Sequence, residues 1–166
     1  MRKTHLFLTG EKQVGKSTLL RKLLTNEAVP IGGFHTVRST AIFPGFISVH
    51  LLSSATGEVP AKENLLFVRG ISDTAGTAQR FDRLGIAALS VPARCVVMDE
   101  LGPHEKNALL FQRRVLELLD GEIPVRGVLQ QGATPFLRAV AQHPRVRLVT
   151  VTEENRDRLV NELSGK

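Results

Sequence analysis

The sequence predicts an α/β fold: a mostly parallel sheet flanked by helices, with an antiparallel hairpin extension at one end. Three observations carry this. Short apolar runs alternate with helix-spaced segments along the chain, the pattern of a parallel sheet covered on both faces. Residues 33 to 70 break the alternation, being rich in β-branched and small residues and punctuated by Pro44-Gly45 and Thr56-Gly57, which reads as hairpin material. The 166 residues contain no repeat, low-complexity tract or linker, so a single domain over 1–166 is expected.

Taken in order, His5 to Thr9 form a short buried strand that ends at Gly10. From Lys16 the residues Leu19, Leu20, Leu23 and Leu24 share one helical face, and that helix should fade near Asn26, before Pro30. After the hairpin region, with Pro44-Gly45 as one turn, helical spacing returns over 77–91 through Phe81, Leu84, Ala88 and Leu89. Residues 94–98 predict a buried strand stopped by Asp99-Glu100. A helix follows from Glu105 to Leu119, with Leu109, Leu110, Val115, Leu116 and Leu119 inward. Then come a strand over Val125–Leu129, a helix over Pro135–Ala141 and a strand over Val146–Val151. The final helix starts near Glu153, with Thr152 as its N-cap.

Composition narrows the classes of function. The formal charge of +6 and pI near 10.1 favour anionic ligands. The basic residues are scattered, however, and the aromatics are Phe alone, short of the stacking platforms that bind single strands. Nucleic acid is compatible with the charge but not indicated. No segment approaches the roughly 18 apolar residues of a membrane span, and the apolar run after Met1-Arg2-Lys3 is too short for a signal core. The lone Cys95 excludes an internal disulfide framework. Its apolar neighbours Val96, Val97 and Met98 make it core filler, and a cytoplasmic location is expected.

Gly10-Glu11-Lys12-Gln13-Val14-Gly15-Lys16-Ser17 matches G-x-x-x-x-G-K-[ST] at every fixed position. The glycines let the backbone wrap so that successive N–H groups point into one concavity that holds phosphate oxygens. Lys16 reaches the β- and γ-phosphates, and Ser17 offers a hydroxyl to Mg²⁺. The helix that follows adds its free N–H groups and dipole. Thr18 adjoins this nucleotide-binding set. A chance match is the bland alternative, but the match sits between an apolar strand and an amphipathic helix, as the chemistry requires.

Val96-Val97-Met98-Asp99-Glu100 is an apolar strand ending in two carboxylates. Alone, this is usually a strand reaching solvent. Paired with the loop upstream, Asp99 reads as a second contributor to the Mg²⁺ shell, and Glu100 as the base that activates a water against the γ-phosphate.

These residues resemble the small P-loop nucleoside triphosphatases that include the cancer-related nucleoside-triphosphatase proteins, within the RecA/AAA-like group. Beyond the loop, the resemblance rests on Gly33-Phe34, Val37-Arg38, Phe81-Asp82-Arg83-Leu84-Gly85, Asp99-Glu100-Leu101-Gly102 and Thr152-Glu153-Glu154-Asn155-Arg156-Asp157. It implies a P-loop NTPase fold and Mg²⁺-dependent hydrolysis of ATP, GTP, CTP and UTP to diphosphate and phosphate. It also implies a second nucleotide-contacting segment: Val96, Val97, Met98, Asp99, Glu100, Leu101, Gly102 and Pro103. Two positions depart from the family pattern: Pro103-His104 stand where a Lys is usual, and His35-Thr36 where acids are.

A γ-phosphate site also needs positive charge as the transition state forms. Arg156, taken as catalytic, and Arg38 are the candidates, against the plain readings of a solvated helix Arg and a surface hairpin Arg. His104 reads as solvent-facing, and Glu105, Glu117 and Asp120 as helix surface. The other histidines show no metal-ligand spacing. Two further readings stand beside hydrolysis. One is a small-molecule or nucleotide kinase, though no Arg-bearing lid insertion is evident. The other is a nucleotide-gated partner module, against which Glu100 argues. Without a strong arginine assignment, intrinsic turnover is expected to be slow.

Overall fold

The computed structural model describes residues 2–164, and the outermost residues of the expected domain, 1 and 165–166, lie outside them. Seven strands form one sheet: β1 (His5–Thr9), β2 (Ile31–Ser39), β3 (Ser48–Ser53), β4 (Leu65–Val68), β5 (Cys95–Leu101), β6 (Val125–Leu129) and β7 (Val146–Thr150). Their spatial order is β4-β3-β2-β5-β6-β1-β7. β2, β5, β6, β1 and β7 run parallel, while β3 and β4 add antiparallel beyond β2. The hairpin extension is where it was expected, with one difference. Its first strand belongs to the parallel core, paired with β5 in the register Phe34↔Met98 and His35↔Asp99.

The central strands β1, β5 and β6 are mostly apolar because helices cover both their faces, whereas the edge strand β7 exposes Arg147, Leu148 and Thr150. On one face Leu8, Val97 and Val128 meet Leu19, Leu20 and Leu23 of α1 (Lys16–Leu24) and Leu159 of α6 (Arg156–Ser164). On the other, Phe7, Val96 and Met98 meet α2 (Thr74–Arg80), a π-helical turn at Phe81–Gly85, α3 (Ile86–Leu89), α4 (Leu109–Asp120) and α5 (Pro135–Ala141). Phe111 is the hub of that face: its ring meets Phe34 at 5.6 Å, Phe81 at 5.7 Å and Phe136 at 6.4 Å. Truncating such a ring costs about 3–5 kcal/mol. Cys95 is fully buried at the start of β5, and burial pushes its thiol up to about 11. No helix among the described residues is long and apolar enough to cross a membrane.

Four expectations are corrected. The strand carrying the acids does not stop at Met98. It continues to Leu101, because Leu101 pairs with Leu129 of β6 and is fully buried. The next helix starts at Leu109 rather than Glu105, since a 3₁₀ turn at Pro103–Glu105 intervenes. That delay resets the helix phase, so the inward stripe is Phe111, Val115 and Leu119, while Leu109 and Leu110 are 65% and 53% exposed. Glu105 is not helix surface, being only 2% exposed. At the chain's end, regular helix begins at Arg156 rather than Glu153. Thr152 still closes its first turn, accepting from Asn155 N–H at 3.2 Å while its own N–H donates to Asn155 Oδ1 at 2.8 Å.

Candidate nucleotide-binding site

The loop from Gly10 to Gly15 lies at the carboxyl ends of the parallel strands, where open α/β sheets bind ligands. Gly10 has φ +137°, and a Cβ there would fall 2.4 Å from the Val151 carbonyl oxygen. No other residue fits. Val14 turns inward to the α1–α6 cluster and pins the loop from behind, and Gly15 stands at the N-cap of α1. Lys16 bends over the loop, donating from Nζ to the carbonyls of Gly10 and Glu11 at 2.7 Å each. Burial lowers its pKa, with Glu100 pulling the other way.

Across the cavity, the register of β5 between β2 and β6 delivers Asp99 and Glu100 to the same edge. Ser17 Oγ donates to Asp99 Oδ1 at 2.9 Å, joining residues 82 positions apart. Burial raises the Asp99 carboxyl, and the Ser17 bond opposes that shift. Gln130, just beyond β6, donates from Nε2 to Glu100 Oε1. The Gln130 amide packs so tightly over Gly102 that a Cβ there would lie 2.7 Å from Nε2. Gly102 N–H in turn donates to the Glu105 carboxylate at 2.6 Å. With no cation beside it, burial pushes that carboxyl up to about 8.

These elements enclose a cavity of about 1210 Å³. Gly10, Lys12, Gln13, Gly15, Lys16, Ser17, Thr18, Asp99, Glu100, Gly102 and Pro103 line it, as does Arg38. Val96, Val97, Met98 and Leu101 do not, because they are sealed in the core at no more than 3% exposure. Glu11 faces solvent and Val14 faces inward. Arg156 sits behind the loop, donating from Nη1 to the Val14 carbonyl at 3.2 Å. His104 is exposed on the cavity wall, with its ring stacked on Phe67 at 4.4 Å. Sequence reasoning missed Phe67, Arg69 and Gln130, all of which line the cavity, as does Thr36, noted from the sequence only as a departure from the family pattern. Only Gln130 left a trace, as a polar residue directly after an apolar strand.

Among the described residues no cluster of three or more His, Cys, Asp or Glu could hold a metal ion. The Ser17 hydroxyl and Asp99 carboxylate do fit Mg²⁺, which takes one or two protein oxygens and completes its shell with waters and substrate phosphates.

A parallel sheet that ends in a phosphate cradle facing a serine–carboxylate pair defines a P-loop nucleotide-binding domain. Residues 5–164 match the family described as NTPase. The chain belongs to that family. It is 30% identical to the nucleoside-triphosphatase THEP1 of Thermofilum pendens, over 96% of this chain and 93% of that one. It is 29% identical to the Homo sapiens cancer-related nucleoside-triphosphatase, over 96% and 94%. The crystal structure of THEP1 from Aquifex aeolicus superposes with a TM-score of 0.75 at 19% identity, covering 96% of each chain.

Proposed function

We propose that the chain hydrolyses Mg²⁺-bound nucleoside triphosphates at the β–γ bond, releasing diphosphate and phosphate, slowly and with little preference among ATP, GTP, CTP and UTP. The observation that carries this is the Ser17–Asp99 contact at 2.9 Å, with Glu100 next to it in β5 and gripped by Gln130. The N–H groups of the cradle receive the β- and γ-phosphate oxygens. Lys16 exchanges the Gly10 and Glu11 carbonyls for phosphate oxygens, its ammonium strengthened by partial desolvation. Ser17 and Asp99 would hold the metal, which when bound would supply positive charge to offset that of the phosphates.

Glu100 has one carboxylate oxygen engaged by Gln130, which leaves the other to accept a proton from the attacking water. The water oxygen bonds to the γ-phosphorus as the β–γ bridging bond breaks, and the diphosphate leaves with the bridging oxygen. Arg38, on the cavity wall, is better placed than Arg156 to meet charge on the γ-phosphate. Arg156 braces the cradle through Val14. The broad base preference rests on the family resemblance, and a cytoplasmic setting fits the lone buried thiol.

Phosphate release with each of the four nucleotides and Mg²⁺ tests this reading. Glu100→Gln should lower kcat by about 10²–10⁴ with nucleotide affinity nearly unchanged. Lys16→Ala should lose both affinity and turnover. Phosphate release by Glu100→Gln at the wild-type rate would remove Glu100 from the chemistry.

A further inference from the structure

The cavity extends well past the cradle. At about 1210 Å³ it exceeds the roughly 300–1,000 Å³ typical of one small-molecule site, and its far wall comes from the hairpin and the turn after β5. Arg69 follows β4, Lys106 follows the Pro103–Glu105 turn, and both line the cavity. Among the described residues neither side chain takes part in an ion pair. His104 lies within their field: burial lowers its pKa first, then Arg69, with Lys106 and Lys12 adding and Glu100 opposing.

Two of the four acids that line the cavity carry no free charge. Asp73 is bound to Arg80 at 3.1 Å and accepts from Gly76 N–H. Glu105, its carboxyl pushed up to about 8, is largely neutral at pH 7 and faces Gly102 N–H. The hydrogen bonds from neutral Ser17 to Asp99 and from neutral Gln130 to Glu100 leave those two carboxylates' charge uncancelled at the end of β5. Arg69 and Lys106 thus stand on this wall with no ion-pair partner among the described residues, near the tilted His104–Phe67 ring pair.

We infer that Arg69 and Lys106 form a second phosphate-binding subsite, on the cavity wall built by the hairpin and the turn after β5. This rests on the reading of the cradle as the triphosphate site. Its ligand is a phosphate oxyanion from one of two sources: the orthophosphate leaving the reaction, or the phosphate of a second small molecule. Arg suits such a ligand through its forked donors.

The test uses the full chain saturated with Mg²⁺ and a non-hydrolysable triphosphate, so that the cradle is filled. Inorganic phosphate is then titrated and its binding followed by calorimetry. Saturable binding at millimolar concentration is expected, weakened about tenfold or more in Arg69→Gln/Lys106→Gln, with the affinity for the triphosphate analogue unchanged within about twofold. Equal phosphate affinity in wild type and variant would overturn the subsite, as would no saturable binding to wild type. A cradle that fails to bind the analogue would show up before phosphate is added, which separates failure of the nucleotide reading from failure of the subsite.

Phenyl phosphate identifies the source. Tighter binding than inorganic phosphate, lost in Phe67→Leu, marks a ring-bearing phosphomonoester stacked on the aromatic wall. Equal binding marks the leaving phosphate.

Discussion

The cradle, residues 10 to 17, is held by its own backbone, by one strand beneath it and by Arg156 behind it. The facing wall instead draws Arg38, Phe67, Arg69, His104 and Gln130 from separate segments. In the cradle the ligand-facing groups are backbone N–H donors, so the local conformation is the site. In the facing wall they are side chains, aimed by pairings such as His35↔Asp99 and Leu101↔Leu129 that bring distant parts of the chain together. The first kind of wall breaks when one backbone angle becomes forbidden. The second weakens by degrees as individual side chains are removed.

Gly10→Ala is the sharpest way to break the first wall. Its Cβ would meet the Val151 carbonyl at 2.4 Å, at a φ of +137°, so triphosphate affinity should fall roughly 100-fold. A Kd within threefold of wild type would show that the cradle tolerates a different path.

Next in size is Glu105→Gln, on the facing wall. The folded carboxyl titrates at about 8 against an ordinary 4.5. The folded state thus holds its proton more tightly than the unfolded one, and this group's contribution to stability is lost as pH rises from 4.5 through 8. Gln keeps an acceptor for Gly102 N–H and cannot ionise. It should be more stable than wild type by about 2–4 kcal/mol at pH 9, with little difference near pH 4.5. Melting curves at both pH values would decide it, and an equal gap at the two would mean the burial carries no charge penalty.

Gln130→Ala should lower kcat about tenfold by freeing Glu100 to rotate, with triphosphate affinity nearly unchanged. A change in KM alone would reassign Gln130 to binding. Arg156→Ala comes last. A guanidinium on the Val14 carbonyl supports the cradle from outside, so affinity should drop only about two- to fivefold with kcat preserved. A loss of kcat near 10³ would instead make Arg156 the group that meets the transition state.

The same contrast explains what could be read from the sequence. Gly10 to Ser17 was legible because fixed spacing is itself the device, and Asp99-Glu100 because two acids closed an apolar run that such a loop requires. The parallel core and its hairpin followed from alternation of strand and helix patterns. Phe67 was not legible, and Gln130 only faintly as a polar residue after an apolar strand, since nothing near either in sequence records which strand lies alongside. Glu105 was misread because an acid among polar neighbours usually faces water; only the 3₁₀ turn folds its carboxylate back onto Gly102. The same turn shifted the phase of α4, so Leu109 and Leu110 face out and Phe111, left out of the expected stripe, became the hub. Arg156 was identified as a functional arginine, yet the packing of α6 beside α1 places it behind the loop.

The buried thiol of Cys95 has a practical consequence. It is the chain's single cysteine, wholly inaccessible, and held as the unreactive thiol by a pKa near 11. The native chain therefore gives no background to maleimide chemistry. A cysteine placed at Gly57, where an added Cβ meets nothing within 4 Å, would be the one reactive handle in the molecule. A dye attached there would report on the segment between β3 and β4 without first engineering the core.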